Sequence, residues 1–216
     1  MKLIQVFLAD DHTIVRSGIR SLLEAEDGIE VVGEAEDGRE AVEKVREIRP
    51  DVVLMDIGMS GLNGLEATIQ IKQACPKVKV LILSMHTDEQ YVQHALQAGG
   101  SGYLVKQAAE AELLVAIKAV NMGKTYLSPE ISKNIVEGYL RHSSDGEEDD
   151  EYSILTSRER EVLQLVAEGQ TNKEVAVLLD ISVKTVDAHR THIMSKLRVK
   201  NSAELVLHAS RMGLLK

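Results

Sequence analysis

Asp10 and Asp11 follow the apolar run 3–9, and Asp56 follows a second apolar run, 52–55. Three carboxylates gathered in one place repel one another and hold their protons more tightly unless a cation neutralises them. A hard divalent ion that takes oxygen ligands and keeps several waters suits such a set, so Mg²⁺ or Mn²⁺ is the expected metal. Ser84 closes a third apolar run, 78–83, and Lys106 closes a fourth, 102–105. A nucleophilic carboxylate, metal ligands, a hydroxyl and an ammonium are what phosphoryl transfer to a carboxylate requires. Any one of these acids alone reads as a solvated loop residue. Only the ordered set is informative.

For these side chains to meet, the apolar runs must be neighbouring strands whose carboxyl ends share one edge. The pattern predicts strands at 3–9, 29–35, 52–55, 78–83 and 102–105, alternating with helices at 12–25, 39–48, 64–74, 88–98 and 109–122. Parallel strands need helical crossovers, so this is an α/β fold: a (βα)5 domain with a five-stranded parallel sheet covered on both faces, spanning 1–122. In such sheets function gathers at the carboxyl ends of the strands. Thr87 and Gln90 fit a capping box for the fourth helix. Ser128-Pro129 starts a further helix over 129–140. It leads into 142–151, which has no apolar residue to bury and carries repelling acids, and so reads as a flexible linker. Residues 123–152 are thus a linker helix and an acidic linker. Beyond them, 153–216 is an all-α domain of four helices. Thr156 with Glu159 and Thr171 with Glu174 open two of these, Gly169 stops the first, Ser182 caps the third, and Ser202 begins the fourth.

Composition narrows the remaining classes. Of 216 residues 44% are hydrophobic, enough to form a core, yet only 3% are aromatic, so Leu, Ile, Val, Ala and Met must pack it. The single Cys75 forms no internal disulfide, and no Cys/His spacing resembles a zinc site. No apolar run approaches the roughly 20 residues of a membrane span, so a cytoplasmic protein with no membrane partner is expected. The net charge of −9 divides unevenly, −12 before Ser153 and +3 from there on. An acidic front and a mildly basic back suit a nucleic-acid partner for the second domain only. Gly123-Lys124-Thr125 mimics the end of a P-loop, but Lys118 stands where that motif needs glycine, so no ATP site is expected.

Residues 1–122 resemble the receiver domain of response regulators. The matching segments are Leu8-Ala9-Asp10-Asp11, Leu54-Met55-Asp56 with Gly61 and Gly64, Leu83-Ser84, and Gly102-Tyr103-Leu104-Val105-Lys106. The resemblance implies that Asp56 is the phosphoacceptor and that Asp11, Asp56 and the Gly58 backbone carbonyl bind Mg²⁺, with Asp10 acting mainly through a water. It makes Lys106 and Ser84 the phosphoryl contacts, and Tyr103 the switch aromatic that turns inward as Ser84 moves. Three positions depart from the usual pattern. Ser60 and Gln107 stand where proline is frequent, which questions the Lys106-Gln107 peptide geometry. Gly58, with His86, borders the path of the hydrolytic water and leaves that path open, which predicts a short phosphoryl lifetime.

Thr171 to Leu197 reads as two helices joined by a short turn at Asp180-Ile181, with Val175, Leu178 and Leu179 on one apolar face and Val183, Val186, Ile193 and Leu197 on the other. The segments Leu155-Thr156-Ser157-Arg158-Glu159-Arg160-Glu161-Val162-Leu163, Asn172-Lys173-Glu174-Val175-Ala176 and Ser182-Val183-Lys184-Thr185-Val186-Asp187-Ala188-His189 resemble the LuxR-type helix-turn-helix. Paired with a receiver, this is similar to the NarL/FixJ class of response regulators. The resemblance implies a recognition helix in the major groove of double-stranded DNA, with Asp187, Ala188 and Thr191 facing bases. It gives Lys173, Lys184, Thr185, His189, Arg190 and Lys196 as phosphate contacts. It further implies a sensor histidine kinase as phosphodonor, a homodimer when phosphorylated with contacts around 201–212, and a transcription regulator rather than an enzyme. Two alternatives stay open: a DNA-binding regulator indifferent to phosphorylation, and a Mg²⁺-dependent phosphatase with an aspartate nucleophile.

Overall fold

The computed structural model describes residues 3–142 and 154–211. They belong to two compact units, Met1–Gly146 and Glu147–Lys216. In the first unit β1 (Ile4–Ala9), β2 (Ile29–Ala35), β3 (Val52–Asp56), β4 (Lys79–Ser84), β5 (Gly102–Val105) and β6 (Tyr126–Leu127) form one parallel sheet in the order β2-β1-β3-β4-β5-β6. The crossovers are α1 (Thr13–Glu24), α2 (Gly38–Ile48), α3 (Gly64–Ala74), α4 (Glu89–Gln97) and α5 (Ala109–Asn121), and α6 (Pro129–His142) follows β6. Every residue of β3 is buried. This is why the central strands read as continuous apolar runs rather than alternating ones: helices cover both faces. Val6, Leu8, Leu54, Leu81, Leu83 and Leu104 pack with Ile19 and Leu23 of α1 and with Leu113, Ile117 and Val120 of α5. The strand period of two sends Phe7, Val53, Met55, Ile82 and Tyr103 to the opposite face, where they too are buried.

The sheet has six strands, not five. A two-residue strand cannot display a period, so β6 leaves no trace in the apolar pattern; side-chain and backbone bonds from β5 define it. The Ser128 N–H donates to the Tyr103 carbonyl at 3.0 Å, and the Val105 N–H donates to Ser128 Oγ at 3.2 Å. Ser128 Oγ in turn donates to Glu112 Oε2 at 2.7 Å, which also accepts from the Tyr126 hydroxyl at 3.0 Å. The start of α6 is therefore tied to β5, and Asn134 Nδ2 on α6 donates to the Thr87 carbonyl at 3.2 Å. Thr87 is not the cap expected for α4; Asp88 occupies that position, with no side-chain capping bond. The acidic run 143–151 lies outside the described residues.

The second unit contains α7 (Ser157–Ala167), α8 (Asn172–Leu178), α9 (Val183–Lys196) and α10 (Ser202–Arg211). Both capping boxes form: Thr156 with Glu159 and Thr171 with Glu174. Each cap satisfies otherwise orphaned N–H groups and stabilises its helix by about 1 kcal/mol. Gly169 ends α7 with φ +89°, a conformation that favours glycine. Ser182 caps α9 by accepting from the Thr185 N–H. Leu155, Val162, Leu163, Val175, Val186, Ile193, Leu197 and Leu205 make the core. Leu178 and Val183, expected on the apolar faces, are 51% and 40% exposed. They lie on either side of the short turn, Leu178 as the last residue of α8 and Val183 as the first of α9, where Val175, Leu179 and Val186 take the buried positions.

Candidate functional site

Sheet register assembles the acidic cleft. Ala9 pairs with Met55, Asp56 with Leu83, and Ser84 with Val105. The residues one step beyond, Asp10 and Lys106, therefore flank Asp56 and Ser84 along the carboxyl edge. Asp56 is 3% exposed and Asp10 2%. Lys106 Nζ lies 2.8 Å from Asp10 Oδ2 and 2.9 Å from Asp56 Oδ2, bridging the two carboxylates. The Gly58 N–H donates to Asp56 Oδ1 at 3.3 Å. Burial pushes the Asp56 carboxyl above the usual carboxylate range, and the Asp10 charge adds to this; Lys106 and the Gly58 N–H oppose it. Burial lowers Lys106, but Asp56 and Asp10 outweigh that and hold it above an ordinary lysine.

Glycine makes the approach to Asp56 possible. A Cβ on Gly64 would sit 1.9 Å from the Asp56 carbonyl oxygen, so α3 can start against the strand end only with no side chain there. Gly61, at φ +79°, turns the loop between them. The Lys106-Gln107 bond is trans, since no cis peptide occurs among the described residues, and a single 3-10 turn over Lys106–Ala108 follows the lysine.

Ser84 is buried and its Oγ accepts from the His86 N–H at 3.1 Å. Tyr103 is wholly buried, and its hydroxyl donates to the His86 carbonyl at 2.9 Å. Burial raises the Tyr103 phenol well above its ordinary value, so it remains a hydrogen-bond donor. Tyr103, expected to be the switch aromatic, thus points inward, its hydroxyl bonded to the loop that follows Ser84. The His86 ring, expected to border the water path, stacks on Tyr91 with centroids 4.1 Å apart.

Two cleft residues escaped the sequence reading. His12 Nδ1 lies 2.8 Å from Asp11 Oδ1, 3.3 Å from Asp10 Oδ1 and 3.8 Å from Asp56 Oδ2. A histidine directly after an acid pair was the available signal. Arg16, buried on α1, donates from Nη1 to the Asp10 carbonyl at 2.6 Å and from Nε to Glu34 Oε2 at 3.0 Å, pinning the loop that carries the acids. With Asp10, Asp11 and Asp56 against one Lys106, the cleft keeps an excess of two negative charges. Oxygen ligands from these acids, together with His12, fall within 4.8 Å of one another. This hard, net anionic donor set fits a divalent cation such as Mg²⁺.

In the second unit α8 and α9 pack across the turn 179–182, where Asp180 takes φ 51°. Asp187, Ala188 and Thr191 are exposed along α9, as are Lys173, Lys184, Thr185 and Lys196, while His189 and Arg190 are half-buried. Thr191 Oγ1 donates to the Asp187 carbonyl at 2.9 Å. Lys196 is engaged within the unit, its Nζ 2.6 Å from Glu159 Oε2. Arg190 donates from Nη1 to Asn172 Oδ1 at 2.7 Å and from Nη2 to Ser202 Oγ at 3.0 Å.

The family described as response regulator receiver domain matches residues 6–118, and the luxR family of bacterial regulatory proteins matches 153–209. The chain is a LuxR-type response regulator. Across its length it is similar to the oxygen regulatory protein NreC of Staphylococcus haemolyticus, at 43% identity over 214 residues, 98% of this chain and 99% of the relative. A LuxR-family two-component response regulator from Aurantimonas sp. is 40% identical, covering 64% of this chain and 99% of its own, with TM-score 0.62. RcsB from Salmonella enterica serovar Typhimurium, solved bound to promoter rprA in the presence of phosphomimetic BeF3-, is 27% identical, covering 97% and 99%, with TM-score 0.64. This response regulator is accordingly a two-component transcription regulator. No helix among its described residues is long and apolar enough to cross a membrane.

Proposed function

We propose that Asp56 accepts a phosphoryl group and that the modification controls DNA binding by α9. The observation that carries this reading is the buried Asp56 carboxylate bridged to Asp10 by Lys106, with Ser84 on the adjoining strand end. Asp10, Asp11 and Asp56, with the Gly58 carbonyl, would hold Mg²⁺, whose bound charge offsets the phosphoryl oxygens and holds Asp56 ionised. An Asp56 oxygen attacks phosphorus in line with the departing histidine nitrogen of a sensor kinase, or with the leaving group of a small phosphodonor. Lys106 would pair with the anionic phosphoryl oxygens, and the Ser84 hydroxyl would donate to another. Gly58 stands where an aspartate-nucleophile phosphatase would carry its general acid, which favours a switch over a turnover enzyme.

The output is a shift of a two-state loop. Ser84 moving onto the phosphoryl group would draw on the same backbone, at His86, that holds Tyr103, and Thr87 one residue on is held by Asn134 of α6. We take 1–122 as the receiver, 123–152 as the connecting helix and acidic linker, and 153–216 as the DNA-binding unit. Phosphorylation then promotes a homodimer that reads two half-sites about 34 Å, or a multiple of that, apart. Exposed Val206 and Leu207 on α10 supply apolar surface for its DNA-bound contacts; Met212, also assigned there, lies outside the described residues. The test is incubation with a small phosphodonor and Mg²⁺ followed by intact mass and selection of DNA sites. One phosphoryl group on Asp56 and a phosphorylation-dependent site are expected; an unmodified protein overturns the reading.

A further inference from the structure

Asn172 is the first residue of α8, its backbone locked by the Thr171 capping box directly before it. Its side-chain amide faces two residues of α9 that stand three apart on one side of that helix, Asp187 and Arg190. Asn172 Nδ2 donates to Asp187 Oδ1, and Asn172 Oδ1 accepts from Arg190 Nη1 at 2.7 Å. The amide can be oriented only this way, because a carboxylate only accepts and a guanidinium only donates. Arg190 is held at its other end by Ser202, where α10 begins.

We propose that Asn172 is a positioning residue for DNA readout: its amide fixes the Asp187 carboxylate as a base reader and keeps Arg190 turned away from the phosphates. The proposal rests on the reading of α9 as the recognition helix. A carboxylate in the recognition helix accepts from cytosine N4, but beside phosphates it is repelled, and beside free cations it folds onto them. Only a carboxylate held before DNA arrives discriminates well, because its rotamers are already restricted and its charge is not spent on a neighbour. The polar ends of the amide serve both needs. A second acid at position 172 would repel Asp187, and an apolar residue would leave both Asp187 and Arg190 loose.

The test uses the full chain, phosphorylated with a small phosphodonor, on the DNA site selected by the wild type and on single-base variants of it. The wild type should favour cytosine over other bases at the Asp187 position by roughly 5-fold to 150-fold. Asn172→Ala should cut that preference to within about 2-fold of none, and steepen the salt dependence of binding by about 0.9 in log–log slope as Arg190 gains a phosphate. Asn172→Asp keeps the acceptor for Arg190 but sets a like charge against Asp187, so it should lose the base preference with the salt slope unchanged. In an Asp187→Ala background, Asn172→Ala should leave base preference untouched, which a general loss of helix packing would not do. The proposal is overturned if Asn172→Ala keeps the cytosine preference, or if it alters base preference equally without Asp187. A wild type that selects no DNA sequence instead removes the recognition-helix reading beneath it, a result readily told apart from either.

Discussion

Gly64→Ala puts the geometry of the cleft to a quantitative test. The added Cβ would lie 1.9 Å from the Asp56 carbonyl oxygen and 2.8 Å from its carbon, about 1.5 Å inside the 3.4 Å of ordinary contact. Both partners are backbone, one in a fully buried strand and the other in the first turn of α3, so no flexible side chain can yield. Overpacking of this kind costs about 1–3 kcal/mol, which lowers the urea midpoint of the receiver unit by roughly 1 M. A shift near 1 Å at the nucleophile is expected to slow phosphorylation by about 100-fold, since displacement from attack geometry is expensive. The assay is the rate of Asp56 modification by a small phosphodonor with Mg²⁺, beside urea unfolding of the same protein. Gly18→Ala is the control: nothing lies within 4 Å of its added Cβ in the interior of α1, and it should gain up to about 1 kcal/mol. Wild-type phosphorylation rate and stability in Gly64→Ala would refute the account of how α3 abuts Asp56.

Asn134→Ala removes the bond to the Thr87 carbonyl and should leave phosphorylation within about 2-fold. It should weaken the effect of phosphorylation on DNA affinity by about 5-fold, one neutral hydrogen bond's contribution, read from titrations of both forms. Gly58→Arg covers the water path and should lengthen the phosphoryl lifetime by roughly 10-fold, about 1.4 kcal/mol of barrier, measured by loss of label. Burial raises Glu159, but Lys196 and the Thr156 backbone N–H outweigh it and hold its carboxyl below the ordinary 4.5. A depressed carboxyl adds stability that is fully present above pH 4.5 and lost as pH falls through the lower folded value. Hydrogen exchange at the start of α7 should therefore separate the wild type from Glu159→Gln at neutral pH and bring the two together on acidification.

How much of this was legible in the sequence follows from the range of the interactions concerned. Asp10, Asp56, Ser84 and Lys106 could be read because each ends or directly follows a buried parallel strand, and strand ends converge whatever the loops do. The capping boxes of α7 and α8 were legible for a different reason: their bonds span three residues. β6 was not, because its two residues are defined by Gly102 and Tyr103 of β5 and by Glu112, all distant in sequence. The same holds for Arg16, whose partners Glu34 and Glu36 lie beyond α1, whereas His12 stands beside its partners Asp10 and Asp11 and only its approach to Asp56 is long-range. Lys196 and Arg190 carry charge that suits phosphate contact, yet only tertiary structure shows the first on Glu159 and the second on Asn172 and Ser202. Leu178 and Val183 fit the apolar spacing, but periodicity does not reveal which residues beside a turn the neighbouring helices cover.

The central claim joins one carboxylate to one DNA surface, and a single comparison addresses it. DNA affinity for the selected site is measured for wild type and Asp56→Asn, each with and without a small phosphodonor and Mg²⁺. Phosphodonor should tighten binding by the wild type by about 5-fold to 150-fold, the usual span of such coupling, and leave Asp56→Asn unchanged. Equal affinity in all four conditions, or a phosphodonor response that survives in Asp56→Asn, would contradict the account.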